Sequence, residues 1–244
     1  MQALTERDIL RVWERGRNLH PVDRALTLLT VACPDEEYEA LAALAIGRRD
    51  ARLLAVRELT LGPSLTGVAE CPNCRERLEF GVTASDLDAD ELTEPVPAER
   101  TLEVDGFRLR FRMPTSLDLA AVARCEDVKT ARDRLLQRCV LEVSRGGDET
   151  TADTLPESAI EALDVALEES DPLGNIQLVF DCPQCHHHWS ATLDVAVFFW
   201  TEISGWAMRL MSEVHGLARA YGWSEADILV MSPARRQYYL EMVS

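Results

Sequence analysis

The sequence predicts a mainly α chain with a small β part. A helical bundle joins a discontinuous zinc ribbon made from two separated Cys-Pro-x-Cys knuckles, with a β-hairpin inserted between them. Three observations predict this. Apolar residues recur at helical spacing through the first sixty positions. Cys71-Pro-Asn-Cys74 and Cys182-Pro-Gln-Cys185 each lead into alternating apolar residues, the pattern of a strand. Asp105-Gly106 splits two runs of β-forming residues, a hairpin turn signal. The chain then divides into an N-terminal helical region (1–64), the first knuckle with an acidic loop and the hairpin (65–113), a helical insertion (114–175), the second knuckle (176–196) and C-terminal helices (197–244).

The first region opens at Thr5, which can cap a helix carrying Ile9, Leu10, Val12 and Trp13. Pro21 suits the first turn of the next helix, whose Ala25, Leu26, Leu28, Leu29 and Val31 give a buried face. Pro34-Asp35-Glu36-Glu37 begins a third. Leu53, Leu54, Val56 and Leu59 mark a fourth, which Gly62-Pro63 ends. After the first knuckle, Leu78, Phe80 and Val82 alternate as a strand, and an acidic loop spans 86–100. Thr115 or Ser116 starts a helix whose pattern runs from Ala120 to Val143, and Gly146-Gly147-Asp148 reads as a loop. Another helix carries Ile160, Leu163, Val165 and Leu167. Residues 176–180 and the alternating Trp189, Ala191, Leu193 and Val195 read as strands on either side of the second knuckle. A long helix from about Val197 to Ala220, broken by Gly222, precedes two short ones opened at Ser224 and Ser232-Pro233. Residues 68–86 and 179–197 share one plan, so the two knuckle units form an internal repeat.

A chain of 244 residues that is 47% hydrophobic and 27% charged can bury a sizeable core. No apolar run approaches the roughly 20 residues of a membrane span. The N-terminus lacks a basic segment followed by an apolar core, so the expected site of synthesis and action is the cytoplasm. A net charge of −17 argues against nucleic-acid binding. Acids concentrate at 85–100 and 145–171, the pattern of solvated surfaces.

Seven cysteines in a chain without an export signal point to metal or redox chemistry rather than a disulfide framework. Cys33, Cys125 and Cys139 sit among small apolar residues and read as buried hydrophobes. The two knuckles offer four thiolates, Cys71, Cys74, Cys182 and Cys185, the ligand set of one structural zinc ion. Such a site has no open coordination position and does no catalysis. A haem-attachment reading of Cys182 to His186 needs export, and a thioredoxin-like reading needs a helix directly after the pair, where strands are expected instead. His186 or His188 becomes a ligand only where a cysteine is not used. None of the sequence strings for serine hydrolases, nucleotide binding or zinc hydrolases occurs, so nothing supports an enzyme or a small-molecule substrate.

The block from Glu213 to Leu240 resembles the baseplate-type proteins encoded among the tail genes of contractile phages and extracellular contractile injection systems, which are related to hub-assembly proteins of myophage baseplates. His215, Leu217, Ala218, Tyr221, Trp223, Ser224, Glu225, Ile228, Leu229, Arg235, Arg236, Tyr239 and Leu240 carry it. Residues 46–54 and 104–119 and the first Cys-Pro-x-Cys also match the family's pattern. Gly222 departs from it, standing where an aromatic or imidazole side chain is expected, which implies a looser turn. The resemblance implies a non-enzymatic assembly or structural protein, either a hub or spike assembly chaperone or a minor baseplate component. Its implied partners are hub, spike or other tail proteins, and its implied location the cytoplasm or the assembled particle. Trp223, Arg235, Arg236, Tyr238 and Tyr239 are the candidate partner-binding residues, because Arg and aromatic side chains carry interface energy. A zinc-ribbon adaptor of some other cytosolic complex would share the four cysteines but calls for a basic face.

Overall fold

A computed structural model describes residues 1–87 and 99–243; most of the acidic loop expected at 86–100, including Asp88, Asp90, Glu91 and Glu94, lies outside them. Helix α1 (Glu6–Gly16) starts at a capping box between Thr5 and Asp8 and buries Ile9, Leu10 and Val12. Helix α2 (Pro21–Ala32) has Pro21 in its first turn, and the His20 ring nitrogen Nδ1 accepts the Val22 N–H at 3.4 Å. His20, without an evident partner in the sequence, is therefore a helix cap. Helices α3 (Tyr38–Ala42) and α4 (Ile46–Leu61) follow, and Gly62 ends α4 with φ 92°, a conformation costly to any side chain.

These four helices do not close a core alone. The long helix α8 (Val195–Tyr221) lies against α1, α2 and α4 and buries Phe199, Trp200, Ile203, Ala207 and Leu210 among their apolar faces. Each of the large ones, Phe199, Ile203 and Leu210 among them, contributes about 2 kcal/mol on leaving water. The bundle is thus shared between the two ends of the chain. Gly222 does not loosen the end of α8: it sits at φ 71° as a left-handed cap, and its N–H donates to Ala218 at 2.8 Å.

Between the ends lies a four-stranded antiparallel sheet in the order β3 (Glu99–Val104), β4 (Phe107–Arg112), β5 (Val140–Arg145), β6 (Asp148–Thr150). Asp105 and Gly106 both have positive φ, as a tight hairpin turn requires. On β4, Phe107, Leu109 and Phe111 point into a second core while Arg108, Arg110 and Arg112 are less buried. The helix expected from Ala120 to Val143 is corrected here. It breaks after α5 (Ser116–Val122), restarts as α6 (Val128–Cys139), and residues from Val140 onward are strand. Asp127 supplies the second start by accepting the Thr130 N–H at 2.8 Å. Strand β5 wins because β4 has an open edge to pair, and Val140 and Val143 reach the core from it. Gly146 and Gly147, both at positive φ, then turn the chain into β6 rather than into a free loop.

Helix α7 (Glu157–Ser170) packs on this sheet through Ala159 and Leu163. At the other end, Asp118 is fully buried. It accepts hydrogen bonds from Arg112 at 2.6 and 2.9 Å, from Arg138 at 2.7 Å and from the Thr115 N–H and hydroxyl at 2.9 and 2.8 Å. Burial raises the pKa of this carboxyl, and the Arg112, Thr115 and Arg138 bonds more than offset it, holding it well below the usual carboxylate range. A depressed folded pKa gives stability that is full above the unfolded value near pH 4 and is lost as pH falls further. Urea unfolding between pH 5 and 2 should show that loss, and Asp118→Asn should remove this contribution to it; an unchanged acid slope would contradict the network.

The sheet unit is fastened to the start of α4 by the Ile46 N–H, which donates to the Pro114 carbonyl at 3.1 Å, and by Asp171. Helix α4 has no side-chain cap of its own at Ala45. Instead Asp171, at the start of a 3₁₀ turn (Pro172–Asn175), accepts the Gly47 N–H at 2.8 Å. A methyl group on Gly47 would lie 2.0 Å from Asp171 Oδ1 and 2.8 Å from the Gly174 backbone nitrogen. In an open helix Gly→Ala stabilises; here the overlap reverses the sign. We expect Gly47→Ala to cost about 1–3 kcal/mol, read as a lower urea midpoint at unchanged slope.

Candidate metal centre

Each knuckle closes a two-stranded hairpin. Strand β1 (Ser64–Glu70) pairs with β2 (Arg77–Thr83), and β7 (Gln177–Asp181) with β8 (His188–Thr192), both antiparallel. The turns repeat each other bond for bond. The Cys71 N–H donates to Glu76 O and the Arg75 N–H to Cys71 O; likewise the Cys182 N–H donates to His187 O and the His186 N–H to Cys182 O. The residue after the second cysteine is left-handed in both, Arg75 at φ 64° and His186 at φ 56°. The repeat legible in the sequence is a repeat of backbone.

The hairpins meet through their aromatic faces. Phe80 of β2 contacts Phe180 of β7 edge-on at 5.5 Å, and Phe180 stacks on Trp189 at 5.3 Å. Leu65, Ala84, Ile176 and Leu193 anchor the strand ends in the bundle core. This docking brings together four sulfur atoms from distant parts of the chain. All lie within 4.8 Å of one another, with Cys71 Sγ to Cys185 Sγ at 3.7 Å and Cys74 Sγ to Cys182 Sγ at 3.5 Å. Cys71 and Cys182 are buried, Cys185 half-buried and Cys74 exposed.

Crowding moves two of the thiols in opposite directions. Cys185 is lowered to about 6, first by a hydrogen bond from the Asn73 side chain and then by one from the His187 backbone. At Cys74 the Glu76 backbone N–H pulls downward, but desolvation and bonding to the other three sulfurs outweigh it and raise that thiol to about 12. A dication at the centre would remove the conflict, since a coordinating thiol is deprotonated outright. The histidines are used elsewhere. His186 forms the left-handed turn, His187 stacks against Trp189, and His188 Nδ1 lies 3.0 Å from Asp181. Of the other cysteines, Cys33 and Cys139 are buried, whereas Cys125, expected inside, is only half-buried.

Comparison with protein families matches residues 6–200 to T4 bacteriophage base plate protein, a span that contains both knuckles and the sheet unit between them. The chain belongs to that family. Neither the comparison with curated proteins nor the comparison with solved structures gives a match. The matched span stops short of residues 213–240, so membership rests on the bundle, knuckles and sheet rather than on the C-terminal block. Among the described residues, no helix of this base plate family chain is long and apolar enough to cross a membrane.

That block forms α9 (Glu225–Leu229) and α10 (Pro233–Glu241), folded back on α8. Tyr221 stacks on Trp223 at 4.4 Å, and Tyr239 meets both edge-on. The Arg235 guanidinium lies 5.6 Å from the Tyr239 ring centre, and Tyr238 is 62% exposed. Arg236 is different. It is 1% exposed, donating to Glu6 at 2.5 and 2.7 Å, to Glu213 at 2.9 Å and to the Met231 carbonyl at 2.8 Å. The expectation of Arg236 as a partner contact is corrected: its guanidinium is spent tying α10 to α1 and α8. The signal available beforehand was Glu6 in the first helix, but nothing in the sequence joins it to position 236.

Proposed function

We propose that this base plate family chain is a non-enzymatic assembly or structural protein of a contractile tail or injection system, stapled by one structural zinc ion. Cys71, Cys74, Cys182 and Cys185 are the ligands. The observation that carries the reading is the sulfur geometry. Tetrahedral zinc with bonds of about 2.3 Å sets its sulfurs about 3.8 Å apart; two cross-hairpin pairs stand at 3.5 and 3.7 Å, and all four sulfurs lie within 4.8 Å of one another. When bound, the ion supplies cohesion between the hairpins rather than chemistry on a substrate. It joins the two repeats and closes the chain around the inserted sheet unit.

Family membership supports partners among tail proteins; the hub and spike are the specific candidates, and the chain works in the cytoplasm or in the assembled particle. Exposed Tyr238 with Arg235, at the rim of the Trp223–Tyr239 aromatic cluster, is the proposed contact surface. Purifying the tagged chain from cells that express the whole tail cluster tests this. The reading expects a hub or spike protein to co-purify, and Arg235→Ala with Tyr238→Ala to abolish capture at unchanged zinc content and thermal midpoint. Capture of transcription or translation components instead, with no tail protein, would favour an adaptor and overturn the assignment.

A further inference from the structure

The four sulfurs differ in exposure, and that difference assigns an order to their oxidation. With zinc bound all four are thiolates, so access rather than acidity decides which reacts first. Cys74 is exposed, while Cys71 and Cys182 are 0% and 1% exposed and Cys185 is half-buried. Across the joint, Cys182 Sγ of the other hairpin lies 3.5 Å from Cys74 Sγ, and Cys185 Sγ lies within 4.8 Å of it. Cys33 and Cys139 lie buried outside this cluster, with Cys125 half-buried.

We propose that Cys74 and Cys182 form an oxidative modification site, in which a peroxide converts the zinc-bound pair into a disulfide between the two hairpins. This rests on the zinc reading above. The Cys74 thiolate attacks one peroxide oxygen; an S–O bond forms, the O–O bond breaks, and hydroxide leaves. The Cys182 thiolate then attacks the Cys74 sulfur; the S–S bond forms, the S–O bond breaks, and a second hydroxide leaves. The two electrons lost by the sulfurs reduce the peroxide. The sulfurs close from 3.5 Å to the roughly 2.05 Å of a disulfide. Zinc, left with two of its four ligands, is released. The covalent bridge then holds the same two hairpins, so the joint survives loss of the ion in an oxidising surrounding.

The zinc-loaded full chain is treated with hydrogen peroxide. A chromogenic chelator follows zinc, and alkylation with peptide mapping follows connectivity. The first bridge should be Cys74–Cys182, appearing together with zinc release. Cys74→His keeps a four-ligand zinc site but removes the accessible thiolate, and should slow release by about tenfold. Zinc is measured before oxidant is added, so a chain without zinc at that stage overturns the zinc reading and this inference with it. A zinc-loaded chain that first links Cys74 to Cys185, Cys71 to Cys74 or Cys182 to Cys185, that oxidises at Cys125 with zinc retained, or whose Cys74→His form releases zinc at the original rate, overturns this inference alone.

Discussion

Cys71→Ser, or chelation of the wild-type chain, should open both hairpins while leaving the helical bundle folded. Two-stranded hairpins are marginal alone in water, and β1–β2 and β7–β8 are each isolated two-stranded sheets. Their mutual support is the aromatic contact of Phe80 with Phe180 and, when present, the metal. The bundle core has its own closure through α8 and does not depend on the sulfurs. Structural zinc is worth about 10–16 kcal/mol of apparent binding free energy in small domains, and losing a buried ligand forfeits a large share of it. We expect a cost of about 3 kcal/mol or more in the cooperative transition, a fall of about 6–12 °C in Tm for a chain of this size. Hydrogen exchange locates the effect: amides of 64–83 and 177–192 lose protection, whereas those of α1, α2 and α8 keep it. Equal protection of the hairpins in Cys71→Ser and wild type would show that the metal does not hold them. Cys125→Ser, outside the sulfur cluster, is the control expected to change neither.

Arg236→Ala should be the next most damaging substitution, at a position the sequence offers as a candidate partner contact. Removing one member of a buried ion-pair network costs about 3–5 kcal/mol because the remaining charges stay desolvated. Glu6 and Glu213 keep side-chain exposures of 18% and 31%, against 1% for Arg236, so water can reach both acids once the guanidinium is gone. The lower end, about 3 kcal/mol, is therefore expected, again about 6–12 °C in Tm. Arg236→Lys should recover little, because three donors on one nitrogen cannot match the guanidinium's four bonds, two of them a fork on Glu6. Arg235→Ala, one residue earlier and exposed, should stay within about 0.5 kcal/mol of wild type. A stable Arg236→Ala protein would mean that the C-terminal helices are held by their apolar contacts alone.

What the sequence could and could not announce follows from distance along the chain. Local chemistry was readable. Thr5, Ser224 and Ser232 cap the helices they were expected to open, and Asp105-Gly106 makes its hairpin. The two knuckles announced themselves because their residue types, spacing and flanking alternation all repeat. Pairings set by tertiary contact were not readable. Strand β5 carries a helical pattern on its N-terminal side and becomes a strand only because β4 offers an edge. Asp171 caps α4 through Gly47, 124 residues earlier, and Arg236 finds Glu6 across 230 residues. Acids and arginines are common in this chain, so composition could not pick out which pairs would meet. The docking of the knuckles lay between these extremes. Like residue types suggested one site, but only the Phe80–Phe180–Trp189 contact and the shared bundle core explain how distant segments reach it.

The metal's own coordination shell decides whether four cysteines staple the hairpins. X-ray absorption at the zinc edge on the purified chain should show four sulfurs at about 2.3 Å and no nitrogen, with one zinc ion per chain. A shell containing imidazole nitrogen, or a purified chain that carries no zinc, would contradict the four-cysteine staple.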